Sequence, residues 1–264
     1  MKTPAGQAEI VKLGPPGSYI GKVGPTAFNQ VKANAFTSVV HNYIGSLLLS
    51  TKTQTAVDMV VEKLNNNEKV VVGLQNTNGS ALEDFVTQNN IKKGDDIPDF
   101  GWQTLIKRAV KSTTKVTLKS ATGDKDMDQV VYVPYSVMPP TIRAGYENVE
   151  NALENFQSDL PAAPIDFIRT ELEQKYVWTI DGKTHVGDTP PKGVKARHLV
   201  VKEITGRKNG IDYSGDIPKY VTLDNPSRTS MISSYQNGDE SKTGPIDVLI
   251  INSAGATGIS LHAS

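Results

Sequence analysis

Cysteine is absent from the 264 residues, which excludes disulfide bonds and thiolate metal sites. The four histidines, His41, His185, His198 and His262, show no ligand spacing such as H-x-x-x-H, so they suggest no metal site. A net charge is missing too. Lys+Arg and Asp+Glu each count 28, so no global field draws the chain toward phosphate or membrane. Any contact with nucleic acid has to be local. Long hydrophobic runs are also lacking: those at 248–251 and around 70–72 are strand-sized and too short to cross a bilayer. The opening stretch, MKTPAGQAEIVKLGPPG, contains no continuous apolar segment of the signal-peptide kind. These absences lead to the expectation of an intracellular (cytoplasmic) or virion-internal protein with no membrane partner.

What is present is ordinary for a globular chain, with 38% hydrophobic and 21% charged residues. The length suffices for one large domain or two small ones. Residues 1–30 hold Pro4, Pro15, Pro16 and Pro25 among five glycines, a density that predicts an extended arm. We place that arm at 1–40. From about 36 to 64 the apolar spacing is helical, with Val57, Val60, Val61 and Leu64 on one face. The run EKVVVGLQN at 68–76 then reads as a strand buried on both faces of a parallel sheet. Helices are expected at 81–90, 102–111, 146–156 and 164–176, the last with Asp166 in its first turn. Strands are expected at 112–120, 129–135, 198–204 and 246–252, and a Gly/Pro/Lys-rich surface loop at 182–197. A further helix is expected at about 227–236. Strands alternating with helices indicate an α/β fold with a largely parallel sheet.

The segment IDVLIINSAGATGISLH at 246–262 carries most of the chemistry. A buried strand runs straight into a turn holding Gly255 and Gly258, with Ser253, Thr257 and Ser260 around them. In open α/β sheets, ligands bind beyond the carboxyl ends of the strands. Glycine lets the backbone approach a phosphate closely, and free N–H groups and short hydroxyls supply donors without formal charge. The alternative is a plain tight turn.

Residues 253–261, SAGATGISL, resemble motif V of superfamily 2 helicases in the variant of the Strawberry-notch family and related phage helicases. Three other segments follow that family's order. KVVVGLQNT at 69–77 resembles its motif IV strand, and LPAAPIDFIRTEL at 160–172 resembles its "LP…PID.I" stretch. VKEITGR at 201–207, with Arg228 and the later YQNG at 235–238, resembles the strand and helix before motif V. The resemblance implies a C-terminal RecA-like lobe over 41–264, its sheet flanked by helices, with an insertion at about 83–197.

The resemblance further implies roles. Gln75, Thr77, Ser253, Gly255 and Thr257 would contact the backbone of a single strand of DNA or RNA. Gly258 and Ser260 would lie nearer the ribose of ATP. Arg207 and Arg228 are secondary candidates, set against solvated surface arginines. The departures matter equally. PGSYIGKV at 16–23 is not a Walker A loop, because Pro16 replaces the first Gly and Val23 the Mg²⁺-binding hydroxyl. The Arg-rich motif VI does not occur before Ser264. The expectation is a lobe that binds ATP and Mg²⁺ only with an N-terminal helicase lobe, or within a larger parent chain, and does not hydrolyse ATP alone.

Two other classes compete. A helicase lobe turned non-catalytic virion, assembly or DNA-packaging component would also lack the ATP motifs. A short-chain dehydrogenase would explain NSAG at 252–255, but Asp212 replaces the last glycine of its nucleotide loop and no Y-x-x-x-K pair occurs. The run Asp124, Asp126, Asp128 imitates an EF-hand start but lacks its Gly and Glu, and reads as a charged turn.

Overall fold

The computed structural model describes residues 21–23, 26–33, 36–74, 77–120, 129–238 and 245–252, with side chains over 41–74, 77–117, 132–238 and 245–252. The elements begin with β1 (Gly21–Val23), β2 (Thr26–Ala33), α1 (Phe36–Ser50), α2 (Thr53–Asn65), β3 (Val70–Leu74) and α3 (Gly79–Gln88). Next come α4 (Trp102–Thr113), β4 (Lys115–Ser120), β5 (Gln129–Tyr132), α5 (Pro140–Glu154) and α6 (Pro164–Glu173). The chain continues through β6 (Tyr176–Ile180), β7 (Lys183–Gly187), β8 (Ala196–His198), β9 (Val201–Ile204), β10 (Asn209–Asp212) and β11 (Lys219–Thr222). It closes with α7 (Arg228–Asn237) and β12 (Val248–Asn252).

Two compact units divide the chain, one drawn from Met1–Gly45 and Trp102–Asp159, the other from Ser46–Gly101 and Leu160–Ser264. Residues 83–101 and 160–197, expected as parts of an insertion, thus belong with the parallel sheet. Their helix α6 supplies Ile165, Ile168 and Leu172 to its core. The first unit holds an antiparallel sheet in the order β1-β2-β4-β5, so part of the expected arm is paired strand. In the same unit Tyr135 stacks on Tyr146 at 4.7 Å, and the Tyr146 hydroxyl meets Thr113 Oγ1 at 2.7 Å.

The second unit is α/β, built on a parallel sheet in the order β3-β12-β9. Helices cover both faces, consistent with a RecA-like arrangement. Val248, Leu249 and Ile250 are each 0% exposed, as a central parallel strand requires. Val248 and Ile250 pack with Val57, Val60 and Leu64 of α2 and with α6. Leu249 points the other way, to Met231 and Tyr235 of α7. Each such side chain contributes roughly 1.5–3 kcal/mol by leaving water. The helix α6 starts where Pro164 presets φ and Asp166 enters the first turn, and its apolar stripe Ile165, Ile168, Leu172 recurs at helical spacing.

Two expectations need correction. The strand at 70–74 is buried on one face only, since Val71 and Gly73 are exposed and β3 lies at the sheet edge. An unbroken valine run does not reveal whether a second neighbour covers it. The expected loop at 182–197 contains β7 and the start of β8, which pair with β6 in an antiparallel sheet of order β7-β6-β8.

Candidate nucleic-acid interface

Parallel pairing fixes which chain segments meet at one sheet edge. Asn252 is in register with Leu74, and Ile251 with Ile204, so β3, β12 and β9 end side by side. The segments that leave these ends are those that the helicase resemblance singles out. Gln75, Ser253, Gly255, Thr257, Gly258 and Ser260 lie outside the described residues.

Thr77 is described and half-buried just before α3. Its Oγ1 accepts from the backbone N–H of Gly79 at 3.4 Å, which ties it to the start of the helix. Asn78, held at φ 51°, accepts from Ser46 Oγ at 3.1 Å and donates to the carbonyl of Ala162 at 3.0 Å. Side chain to carbonyl bonds of this kind fix the turn without charge.

The loop after β9 joins the three strand ends. Asn252 Nδ2 donates to the carbonyl of Thr205 at 3.3 Å. A Cβ on Gly79 would come within 2.9 Å of Arg207 Cδ, so the Arg207 stem lies directly against the start of α3. Gly206 sits at φ +79°, where an L side chain is strained, and this allows the tight reversal between Thr205 and Arg207.

Arg207 is not the solvated arginine that its sequence context allows. Its side chain is 7% exposed, and its whole guanidinium is engaged. Nη1 and Nη2 donate to Asp166 Oδ2 and Oδ1 at 2.8 and 3.0 Å. Nη2 and Nε donate to Glu203 Oε2 and Oε1 at 2.7 and 3.1 Å. Burial works against the charge, but Asp166 and then Glu203 outweigh it and hold the guanidinium above its ordinary pKa. Glu203 Oε1 also accepts from Thr205 Oγ1 at 2.7 Å. Arg207 therefore offers no open donor fork to a phosphate. It positions the Thr205–Gly206 turn instead.

The network reaches into α6 and β10. Arg169 Nη2 donates to the carbonyl of Ile211 at 2.8 Å and lies 3.5 Å from Asp166 Oδ1, while Nη1 donates to Glu173 Oε2 at 3.0 Å. Glu173 is held above the usual carboxylate range by burial, against the pull of Arg169 and Lys202 and with some help from Asp212. Tyr213 donates no charge here; burial and the neighbouring Asp166 push its phenol well above the ordinary tyrosine value.

A cleft of about 380 Å³ opens beside this turn, between the end of β9 and the start of α7. Thr205, Gly206, Asn225, Arg228 and Met231 line it. Arg228 is exposed and occupies the first turn of α7, whose N-cap Ser227 accepts from the N–H of Ser230 at 3.3 Å. Asn225 Oδ1 accepts from the N–H of Glu203 at 3.3 Å, fixing the cleft floor to β9. The cleft thus has features of a strand-end ligand crevice: a glycine turn, the Asn225 amide, and Arg228 beside the carboxylate-paired Arg207.

Sequence reasoning missed the carboxylates. In the sequence Asp166 reads only as a first-turn residue of a helix, and Glu203 only as part of a strand. The usable signal was a Glu–Arg pair four apart across a Gly turn, which brings opposite charges together where the strand ends. Among the described residues no group of three or more His, Asp or Glu is placed to hold a metal ion. No family model, no curated protein and no solved structure matches this chain.

Proposed function

We propose that this chain acts as the C-terminal RecA-like lobe of a superfamily 2 nucleic-acid motor of the Strawberry-notch type, gripping the backbone of a single strand at the carboxyl edge of its parallel sheet. The observation that supports this proposal is the in-register ending of β3, β12 and β9, the three strands after which the motif IV-like, motif V-like and TGR segments follow in sequence. Of the residues assigned to the backbone, Gln75, Thr77, Ser253, Gly255 and Thr257, Thr77 stands at that edge with its hydroxyl anchored to α3. ATP and Mg²⁺ enter this proposal only through a second lobe, since these 264 residues hold no Walker A sequence. Gly258 and Ser260 would then face the nucleotide between the lobes.

With a formal net charge of zero, binding rests on a few phosphate contacts. Single-stranded DNA should bind weakly at this edge, on the order of 10⁻⁴ to 10⁻⁶ M, with the edge contacts contributing a salt slope of about −2. Gly258→Val should disrupt the loop and weaken binding at this edge by putting a β-branched side chain where the backbone must approach its ligand. Thr257→Ala should remove one donor, about 1 kcal/mol or a several-fold loss. Filter binding of labelled DNA and RNA at low salt decides. Absence of binding to both, or unchanged binding in Gly258→Val, would leave the loop a turn and favour the non-catalytic assembly protein.

A further inference from the structure

We infer that the outer face of the β7-β6-β8 sheet is a stacking platform for single-stranded nucleic acid, separate from the strand-end edge. Along β6 the side chains alternate. Val177 turns inward to the core that contains Val186 of β7, and Tyr176 and Trp178 turn to the opposite face. The register places His198 and Gly187 beside Tyr176, and His185 and Ala196 beside Trp178.

Four rings therefore share one face. Tyr176 and His198 lie 4.2 Å apart between centroids, and Trp178 and His185 lie 6.0 Å apart at 17°, nearly parallel. Tyr176, Trp178 and His185 are half-buried and His198 is exposed. The small neighbours matter. A Cβ on Gly187 would stand 3.3 Å from Trp178 Cη2, so the far edge of the indole reaches over the bare glycine backbone. Partly exposed rings gathered on one face suit planar bases, and base–aromatic stacking tolerates any sequence.

The charge around the rings suits the same occupant. Residues 175–198 hold five basic side chains (Lys175, Lys183, Lys192, Lys195, Arg197) against Asp181 and Asp188, a net +3 in a chain whose net charge is zero. Lys175 is paired with Asp188 and Arg197 with Asp247. Lys183, Lys192 and Lys195 are exposed, and among the described residues none is paired with a carboxylate. A net positive stretch of chain around the rings fits the phosphates between bases.

This proposal stands on residues the strand-end edge does not use, so the two can fail separately. The chain has two tryptophans, and Trp102 is 1% exposed, so a ligand that quenches emission reports on Trp178. Titrating the full chain with oligothymidylate at low salt should quench that emission. In Trp178→Ala the affinity for a labelled strand, read by anisotropy, should fall about 5- to 100-fold, and Trp178→Phe should retain most of it. Changing Lys183, Lys192 and Lys195 together to Gln should flatten the salt slope by about 2, at about 0.7 for each phosphate released. The Gln variant also carries the test if thermal melts show Trp178→Ala misfolded. Gly258→Val should leave the quench intact. Binding with no quench, unchanged affinity in Trp178→Ala, an unchanged slope in the Gln variant, or quenching by an oligosaccharide but not by oligothymidylate each overturns the platform.

Discussion

Arg207 donates to both carboxylate oxygens of Asp166, at 2.8 and 3.0 Å, tying the turn after β9 to the first turn of α6. Both side chains are buried, at 7% and 0% exposure, so neither can turn to water if the other is removed. The same guanidinium serves Glu203. Arg207→Met would leave two buried carboxylates without it and should cost about 3–5 kcal/mol. Asp166→Asn should cost less, roughly 1–3 kcal/mol, because Arg207 keeps Glu203. Urea unfolding monitored by circular dichroism gives both values. The reverse order would show that the turn is held by something other than this bridge.

Gly210 faces the same carboxylate from β10. A Cβ there would collide with Asp166 Oδ1 and would stand 2.9 Å from Leu223 Cδ2. Gly210→Ala should therefore destabilise by about 1–3 kcal/mol through overpacking. Gly215→Ala is the control, since its Cβ would find only the Ile217 carbonyl oxygen at 3.8 Å. It should stay within about 0.5 kcal/mol of the parent. Equal melting temperatures for the two variants would refute the close contact.

Glu173 gives a pH dependence with a definite sign. Its carboxyl is held above the unfolded value of 4.5, chiefly by burial. A raised carboxylate favours the fold while protonated and opposes it once ionised. Glu173→Gln should therefore match the parent at acid pH and exceed it in stability as pH rises through the raised pKa. Denaturation curves across that range test this. A parent more stable than Glu173→Gln at neutral pH would mean that the Arg169 pair outweighs desolvation.

Arg228 stands exposed at the cleft rim, in the first turn of α7. Arg228→Gln should weaken single-strand binding and reduce the salt slope by about 0.7. It should leave the Trp178 quench unchanged. An unaltered slope would remove Arg228 from the phosphate contacts.

The parts of this fold legible in the sequence were those with strong periodicity. Val57, Val60 and Leu64 mark the buried face of α2, and all three are in the core. The run VLIIN reads as a buried strand, and Val248, Leu249 and Ile250 are the centre of the sheet. The β6-β7-β8 hairpins were not legible: the helical reading of 164–176 runs into Tyr176, where β6 begins. Gly182, Gly187, Pro190, Pro191 and Gly193 punctuate every few residues, so strands of five and three residues leave no repeat to count. The role of Arg207 was illegible for a different reason. Its partner Asp166 lies 41 residues away, and only the fold brings an arginine and a carboxylate from such a distance into one buried pair.

The position of β12 has a consequence for how the chain comes off the ribosome. It is the last described strand in sequence but the middle one in space, between β3 and β9. Until residues near Asn252 have emerged, β3 and β9 have no shared neighbour, and each keeps an unpaired edge. The first compact unit, by contrast, has all its residues synthesised by Asp159. Vectorial synthesis thus lets that unit finish early while the parallel sheet waits for its central strand, with 178 residues separating the register partners Val70 and Val248. During that wait the valine edge of β3 is open to pairing with another chain.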